Sequence, residues 1–341
     1  MSMQPKDFFS LLQANRRRMF LLFFVFSCLV MGLSSAGVFL VRRLLAARAD
    51  FWLTLLLFWL LYLLYAILRF ALGGRWILNL VAALPPGQVD RRLENALQAA
   101  LLGTGTDIHV RLLEIPHPDI NSFSFALPDG SHALFVTRGV AEKLPERERE
   151  AVMAHELAHI TSGDTMIQSV LLRLVGPGPS LGRSTSWFTR ASYRGLPALL
   201  AIPLTALVLT AALNSGRKPS PAFLYPLSLA LLFAVLASLM SLLLYRLMRL
   251  FLDREREYYA DLQASYILRD PEAVYLAVEH ASEDVRDIML LPRNLDAILF
   301  HPVVDYASYR PFRTQPTMAE RMRRLEECFP ALSTGERHPA S

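Results

Sequence analysis

Cysteine and charge are what this chain has least of. Two of its 341 residues are cysteines, Cys28 and Cys328. That gives no disulfide framework and no zinc-finger spacing, and it fits a reducing compartment. Only 19% of residues are charged, against 53% hydrophobic. With a mean hydropathy of +0.32, this is not the composition of an ordinary soluble enzyme. No stretch interleaves basic and aromatic residues, so no nucleic-acid partner is expected. No internal repeat is present.

The missing charge is concentrated in four runs without any Asp, Glu, Lys or Arg: Met19 to Val41, Phe51 to Leu68, Leu196 to Leu213, and Ala222 to Tyr245. A bilayer takes about 20 apolar residues to cross. One such run could be a buried core helix; four argue for a membrane protein. The first is expected to stay on the chain rather than act as a cleavable signal, because its apolar stretch is too long and a second span follows. Arginines flank the runs: Arg16-Arg17-Arg18 before the first, Arg69, Arg75, Arg91 and Arg92 after the second, Arg246, Arg249, Arg254 and Arg256 after the fourth. They explain a pI near 9.3. Each group lies an even number of spans from the N-terminus, so the positive-inside rule puts all three on the cytoplasmic side. Arg42, Arg43 and Arg48 argue the other way.

Between the runs lie folded stretches. Arg91 to Leu102 reads as an amphipathic helix and Ile108 to Ile115 as a strand. Asn121 to Leu127 and His132 to Thr137 flank Pro128-Asp129-Gly130-Ser131, a strong turn signal, and read as a β-hairpin. Glu146 to Ser169 reads as one helix, with Pro145 suited to its first position and acids near its positive end. Residues 175–195 read as a loop. The fourth run continues without a breaker to Asp261. Pro271 opens a helix to about Arg286, Leu291 to Arg313 is irregular, and Thr317 to Glu327 is an amphipathic helix. The tail after Pro330 is expected to be disordered.

Inside the 146–169 segment stands His155-Glu156-Leu157-Ala158-His159, an H-E-x-x-H string. Residues four apart share a helix face, so two imidazoles can aim at one metal ion. Glu156 lies about 100° further round, placed to take a proton from a metal-bound water. A surface helix carrying His and Glu by chance is the plainer reading. The apolar residues Val152, Met153, Leu157, Ile160 and Ile167 argue instead for a packed helix, where unpaired polar groups are costly. Catalytic zinc usually has three protein ligands. In Arg254-Glu255-Arg256-Glu257-Tyr258-Tyr259-Ala260-Asp261, Glu257 and Asp261 are four apart. One carboxylate can bind the ion while the other orients a ligating histidine. From spacing alone, a solvated charged helix end explains them equally well.

Taken together these segments resemble the HtpX-type membrane zinc metalloproteases, relatives of the CaaX prenyl proteases. Asn121 with Phe123-Ser124-Phe125-Ala126 is similar to the family's strand before the active helix, and Val136-Thr137-Arg138-Gly139 to its V-T-x-G segment. Ala151 to Ile160 with Gly163-Asp164 is similar to its core motif. Arg256-Glu257-Tyr258 with Ala260-Asp261 is similar to R-E-[FY]-x-A-D. The resemblance implies that Glu257 is the third zinc ligand and Asp261 its motif aspartate. The chain departs where the family carries T-H-P followed by an arginine. Here Thr314-Gln315-Pro316 precedes Glu320-Arg321-Met322, and His301 is the candidate to replace the missing histidine as a transition-state stabiliser.

The expected fold is mainly α: four transmembrane helices plus a zincin-like α+β catalytic domain with a small β-sheet. Residues 1–75 form a transmembrane hairpin with spans at about 19–41 and 51–68. Residues 76–195 hold the first part of the catalytic domain, and 196–250 a second pair of spans at about 196–213 and 222–245. Residues 251–330 complete the catalytic domain, and 331–341 are a tail. The expected activity is that of a zinc endopeptidase with one Zn2+ per chain, held by His155, His159 and Glu257. Glu156 is the base, Asp261 supports a ligand, and the strand residues Asn121, Ser122, Phe123 and Ser124 bind substrate along an open edge. Expected partners are the lipid bilayer and polypeptides, membrane proteins among them. The resemblance implies a bacterial inner-membrane setting and a role in protein quality control. A non-catalytic membrane scaffold and a site-2-type intramembrane protease are the alternatives. Glu146 to Glu150 ahead of the motif, and the lack of acids in the third and fourth runs, count against the latter.

Overall fold

The computed structural model describes residues 8–44, 50–73, 88–127, 129–175, 224–225, 227–236, 255–284, 295, 298–302 and 315–332. It begins with two long helices, α1 (Phe8–Leu44) and α2 (Phe51–Gly73). Asp50 starts α2 by accepting the Leu53 N–H at 2.7 Å. Both are long and apolar enough to cross a membrane, over Phe24–Arg43 and Phe51–Leu68. The large side chains Leu56, Leu57, Leu60, Leu61 and Leu64 of α2 are exposed. Between α1 and α2, Val38, Leu55 and Phe58 are buried together, and the Trp59 indole N–H donates to Ser34 Oγ at 2.8 Å.

The next elements build the part that carries the motif. Helix α3 (Arg91–Thr104) is capped by Asp90 and buries Leu93, Ala96, Leu97 and Ala100, an i, i+3, i+4, i+7 stripe. Strands β1 (Val110–Ile115), β2 (Ser122–Ala126) and β3 (His132–Thr137) form a sheet in the order β1-β3-β2. The turn signal does produce an antiparallel β2–β3 hairpin, in which Phe123 faces Phe135. Their rings stack with centroids 4.5 Å apart. Strand β1 runs parallel to β3 on its far side.

The short helix α4 (Arg138–Lys143) follows at once. Its Gly139 sits where a Cβ would fall 2.2 Å from the Pro118 carbonyl oxygen, so only glycine lets the chain pass. Helix α5 (Glu146–Thr161) then carries the motif, preceded by Pro145 at the capping position rather than the first helical one. The single helix expected to reach Ser169 is broken. Gly163 takes a left-handed φ of +78°, Ser162 caps α5, and α6 (Asp164–Val175) starts afresh. A glycine adopts this conformation without the Cβ penalty that other residues meet.

The third uncharged run lies outside the described residues. The fourth contributes α7 (Leu227–Leu236), whose Phe233 ring packs on those of Phe58, Tyr62 and Tyr65. Helices α8 (Glu255–Leu268), α9 (Pro271–Glu283) and α10 (Met318–Cys328) complete the fold. Asp270 caps α9, and Thr317 with Glu320 forms a capping box on α10. The tail expected to be disordered after Pro330 starts with a 3-10 turn, Pro330–Leu332. The core surrounds α5: Leu93 of α3, Leu134 of β3, Val152 and Leu157, Ala264 of α8 and Val278 of α9 are all buried in one cluster.

Candidate metal centre

Because α5 is packed on every side, Ala151 through Ile160 are all buried. Its polar residues therefore need partners within the protein. His155 and His159 sit one turn apart and bring their Nε2 atoms to 3.2 Å. Helix α8 adds Glu257, whose Oε2 lies 3.6 Å from the first Nε2 and 3.7 Å from the second. For metal–ligand bonds of about 2.0–2.1 Å in a tetrahedron, neighbouring ligands stand about 3.3 Å apart. The three sides of this triangle fit that spacing.

The outer nitrogens make the same point. His155 Nδ1 meets Asp261 Oδ1 at 2.9 Å, and His159 Nδ1 meets Asp164 Oδ2 at 3.4 Å. An ionised carboxylate only accepts, so each neutral ring keeps its proton on Nδ1 and turns the Nε2 lone pair inward. Two lone pairs and a carboxylate oxygen then converge on one point, an arrangement that a cation satisfies. The local charge agrees. Among the described residues, the carboxyl groups of Glu156, Glu257, Asp261 and Asp164 and the guanidiniums of Arg256 and Arg321 are all buried, so acidic groups outnumber basic side chains of Arg type around the two histidines.

Burial alone would raise the Glu257 carboxyl, but Arg256 and the two imidazoles hold it well below the usual range. Burial likewise lowers His159, yet Glu257 and Asp164 outweigh it and lift the ring to about 10. Burial also opposes ionisation of Asp261 and Asp164. Arg321 and His155 keep the first low, and His159 and Arg256 the second. The site is built to hold positive charge.

Glu156 is turned to another face of α5, where Ser122 Oγ donates to its Oε1 at 2.7 Å. The other serine of β2, Ser124, bonds Thr165 through its hydroxyl at 2.8 Å. Both serine side chains are buried against α5 and α6 rather than facing a cleft or solvent, and Phe123 and Phe125 are buried in the core. On the outer edge of β2, Ser122 O accepts from Phe300 N at 2.8 Å. At the other end Ala126 N donates to Ser169 Oγ at 2.7 Å, and Ala126 O accepts from Arg173. By alternation the main-chain groups of Ser124 point the same way, away from β3.

Residues 299–301 form a wall beside this edge. Asn121 Nδ2 donates to His301 O at 2.6 Å, and its Oδ1 accepts from His301 N at 3.1 Å. Gln315, at the family's histidine place, spends its amide N–H on Leu299 O at 2.9 Å. Burial, then the charge of Arg321, push the His301 imidazole down to about 4 against the opposing pull of Asp284. The ring is therefore neutral near pH 7.

Comparison with known proteins decides the family. The sequence profile of peptidase family M48 matches residues 84–328, well over half of the chain. The chain belongs to peptidase family M48. A protease HtpX homologue of Tropheryma whipplei (strain TW08/27) is 27% identical over 323 residues, covering 94% of this chain and 98% of that protein. One from Listeria monocytogenes serovar 1/2a is 25% identical over 229 residues, 64% of this chain, and the match spans 66% of its length. The crystal structure of S. mikatae Ste24p is similar over 90% of this chain and 66% of its own, at 17% identity. Its TM-score of 0.42 is too low to establish a shared fold.

In this M48 chain the fold brings His155, His159 and Glu257 into one cluster. It sets Asp261 behind the first of them and Asp164 behind the second. Three partnerships had no signal in spacing: Ser122 with Glu156, Asn121 with His301, and Arg321 with Asp261. The arginine stands in a highly charged helix, where nothing local distinguishes it from its neighbours, the exposed Arg323 and the half-buried Arg324.

Proposed function

We propose that this M48 chain is an integral membrane zinc endopeptidase that cleaves membrane or misfolded polypeptides at the cytoplasmic face of a bacterial inner membrane. The observation that carries the reading is the triangle of His155 Nε2, His159 Nε2 and Glu257 Oε2, with sides of 3.2, 3.6 and 3.7 Å, on the same helix as Glu156. These three residues would hold the ion. Zinc would supply Lewis-acid polarisation of the scissile carbonyl and lower the pKa of a bound water to about 7. Glu156 takes the proton of the attacking water and returns it to the leaving amine. Ser122 holds one carboxylate oxygen of Glu156, which leaves Oε2 to face the water. Asp261 and Asp164 fix both imidazoles as Nδ1–H tautomers.

An extended substrate chain adds to the outer edge of β2, where main-chain bonds accept any side-chain sequence. The bonds already made at Ser122 and Ala126 leave Ser124 as the residue that offers its main chain. Phe123 supports that strand from the core, and Asn121 aligns the wall that ends it. His301 serves as a neutral hydrogen-bond donor to the developing charge. In the membrane, α1 and α2 are the first pair of spans and 196–213 and 222–245 the second, so the two halves of the catalytic domain lie on one side.

The test uses the purified full chain in detergent, with metal analysis and cleavage of a casein-type substrate. Wild type is expected to hold about one zinc and to cut. Glu156→Gln is expected to keep the zinc and lose cleavage, and His155→Ala to lose both. Loss of zinc in Glu156→Gln would refute the assigned roles.

A further inference from the structure

We infer that Arg321 is a positioning residue of the metal centre, which sets the plane of the His155 imidazole from two sides at once. The inference rests on the metal-centre reading above. Arg321 is among the largest fully buried side chains of the protein. A buried guanidinium is costly unless its donors are matched. Here Nε and Nη2 grip the two oxygens of Asp261 at 2.7 and 2.5 Å. The third nitrogen, Nη1, donates to the Phe300 carbonyl at 2.6 Å. The guanidinium also lies over the Phe300 ring, 4.6 Å from its centroid.

Both groups that Arg321 holds bear on His155. Asp261 Oδ1 meets its Nδ1. The Phe300 ring packs edge-on against the imidazole, with centroids 4.9 Å apart and planes at 86°. The rotation of His155 about its χ angles is thus set by a hydrogen bond at one nitrogen and a ring against its face, and one side chain fixes both. A simple ion pair pinning α10 to α8 would need only the Asp261 contact. The bond to Phe300 O and the stacking on its ring have no place in that reading. Lysine, a point donor on a flexible stem, cannot reproduce the planar fork.

The capping box of α10 sets where the arginine enters. Thr317 Oγ1 accepts the Glu320 N–H at 3.1 Å, and Glu320 Oε2 accepts the Thr317 N–H at 2.8 Å. The helix start is therefore fixed three residues before Arg321. The metal site is completed by a helix that begins more than 150 residues after the motif.

The experiment measures zinc affinity of the full chain by chelator competition, together with the visible absorption of the cobalt(II)-substituted protein. Circular dichroism reports folding. Arg321→Lys and Arg321→Met are expected to weaken zinc roughly 10–100-fold, the usual range for groups that orient a ligand, and to shift the cobalt bands. Arg324→Met, one turn position away on the surface, is expected to change neither. Asp261→Asn is expected to weaken zinc as well, and the double variant with Arg321→Met to lose less than the product of the two singles, since both share the Asp261 contact to His155 while Arg321 also acts through Phe300. Unchanged zinc affinity in either folded Arg321 variant overturns the inference. So does a double variant whose loss equals the product of the two singles. Where Arg321→Met does not fold, Arg321→Lys carries both measurements. A wild type that binds no zinc sinks the metal-centre reading instead.

Discussion

At the scale of single residues, the chemistry of this chain follows from which polar side chains burial leaves facing one another. The H-E-x-x-H string could be read directly, because a helix repeat alone puts His155 and His159 on one face. Glu257 could be narrowed to a pair with Asp261 but not chosen by spacing. What separates them is distance to the imidazoles, one at Nε2 and the other at Nδ1. The sequence places Ser122 among the substrate-binding residues of the strand. Instead its hydroxyl is the donor that orders Glu156, because β2 packs its serine face on the motif helix. Ser122→Ala should leave zinc content unchanged and lower kcat about ten- to a hundredfold, the worth of one hydrogen bond to a charged group. Ser122→Thr should restore much of it. Steady-state cleavage with metal analysis on the same preparations checks this, and a wild-type kcat in Ser122→Ala rejects it.

At the scale of elements, caps and breakers behaved as their chemistry requires, and pairings across the chain did not show in advance. The hairpin, α3, α9 and α10 lie close to where their turn and cap residues put them. The motif helix ends eight residues early, because Gly163 reads as a tolerated glycine until tertiary packing uses its left-handed φ. Asp270 shows how a cap becomes a tertiary tie. It accepts the Ala273 N–H at 3.0 Å and also takes Arg147 Nε, from the motif helix, at 2.7 Å. Burial pushes its carboxyl up, but Arg147 and the Ala273 N–H outweigh it and hold it below the ordinary value. Its stabilising contribution is therefore present above about pH 4 and is lost as pH falls through the lowered value. Asp270→Ala should cost about 1 kcal/mol near neutral pH, mostly the lost cap, since the Arg147 partner is half exposed and screened. Urea melts at pH 7 and at pH 3 should show the gap to wild type shrinking in acid. A gap that widens in acid would contradict the sign.

At the scale of the whole molecule, the long uncharged runs and the arginines between them carry the architecture. Helices α1 and α2 present rows of leucine outward, which water would not tolerate over such a length but lipid would. Val38, Leu55 and Phe58 pack between them, and a half-buried bond joins Trp59 to Ser34. The proposed four-span arrangement would put residues 85–194 and both termini on one side. Single cysteines at Gly87, Ser180 and Ser341, in a chain with Cys28 and Cys328 replaced, should react together with an impermeant thiol reagent added from the cytoplasmic face. One position that labels only from the opposite face breaks the arrangement.

The sequence by itself determined the local periodicities: uncharged lengths that match a bilayer, a helix that aims two histidines together, a turn that makes a hairpin, caps that start helices. Each depends on neighbours within a few residues, so each is written in a short stretch. Only the tertiary structure decided which distant groups meet. Glu257 reaches the histidines, Arg321 grips Asp261, Asn121 takes up the His301 main chain, and β1 lies parallel to β3. Those choices depend on how several helices bury their apolar faces together. Burial also makes each of these polar contacts matter, because a charge or hydrogen-bonding group withdrawn from water must find its partner wherever the packed chain places one.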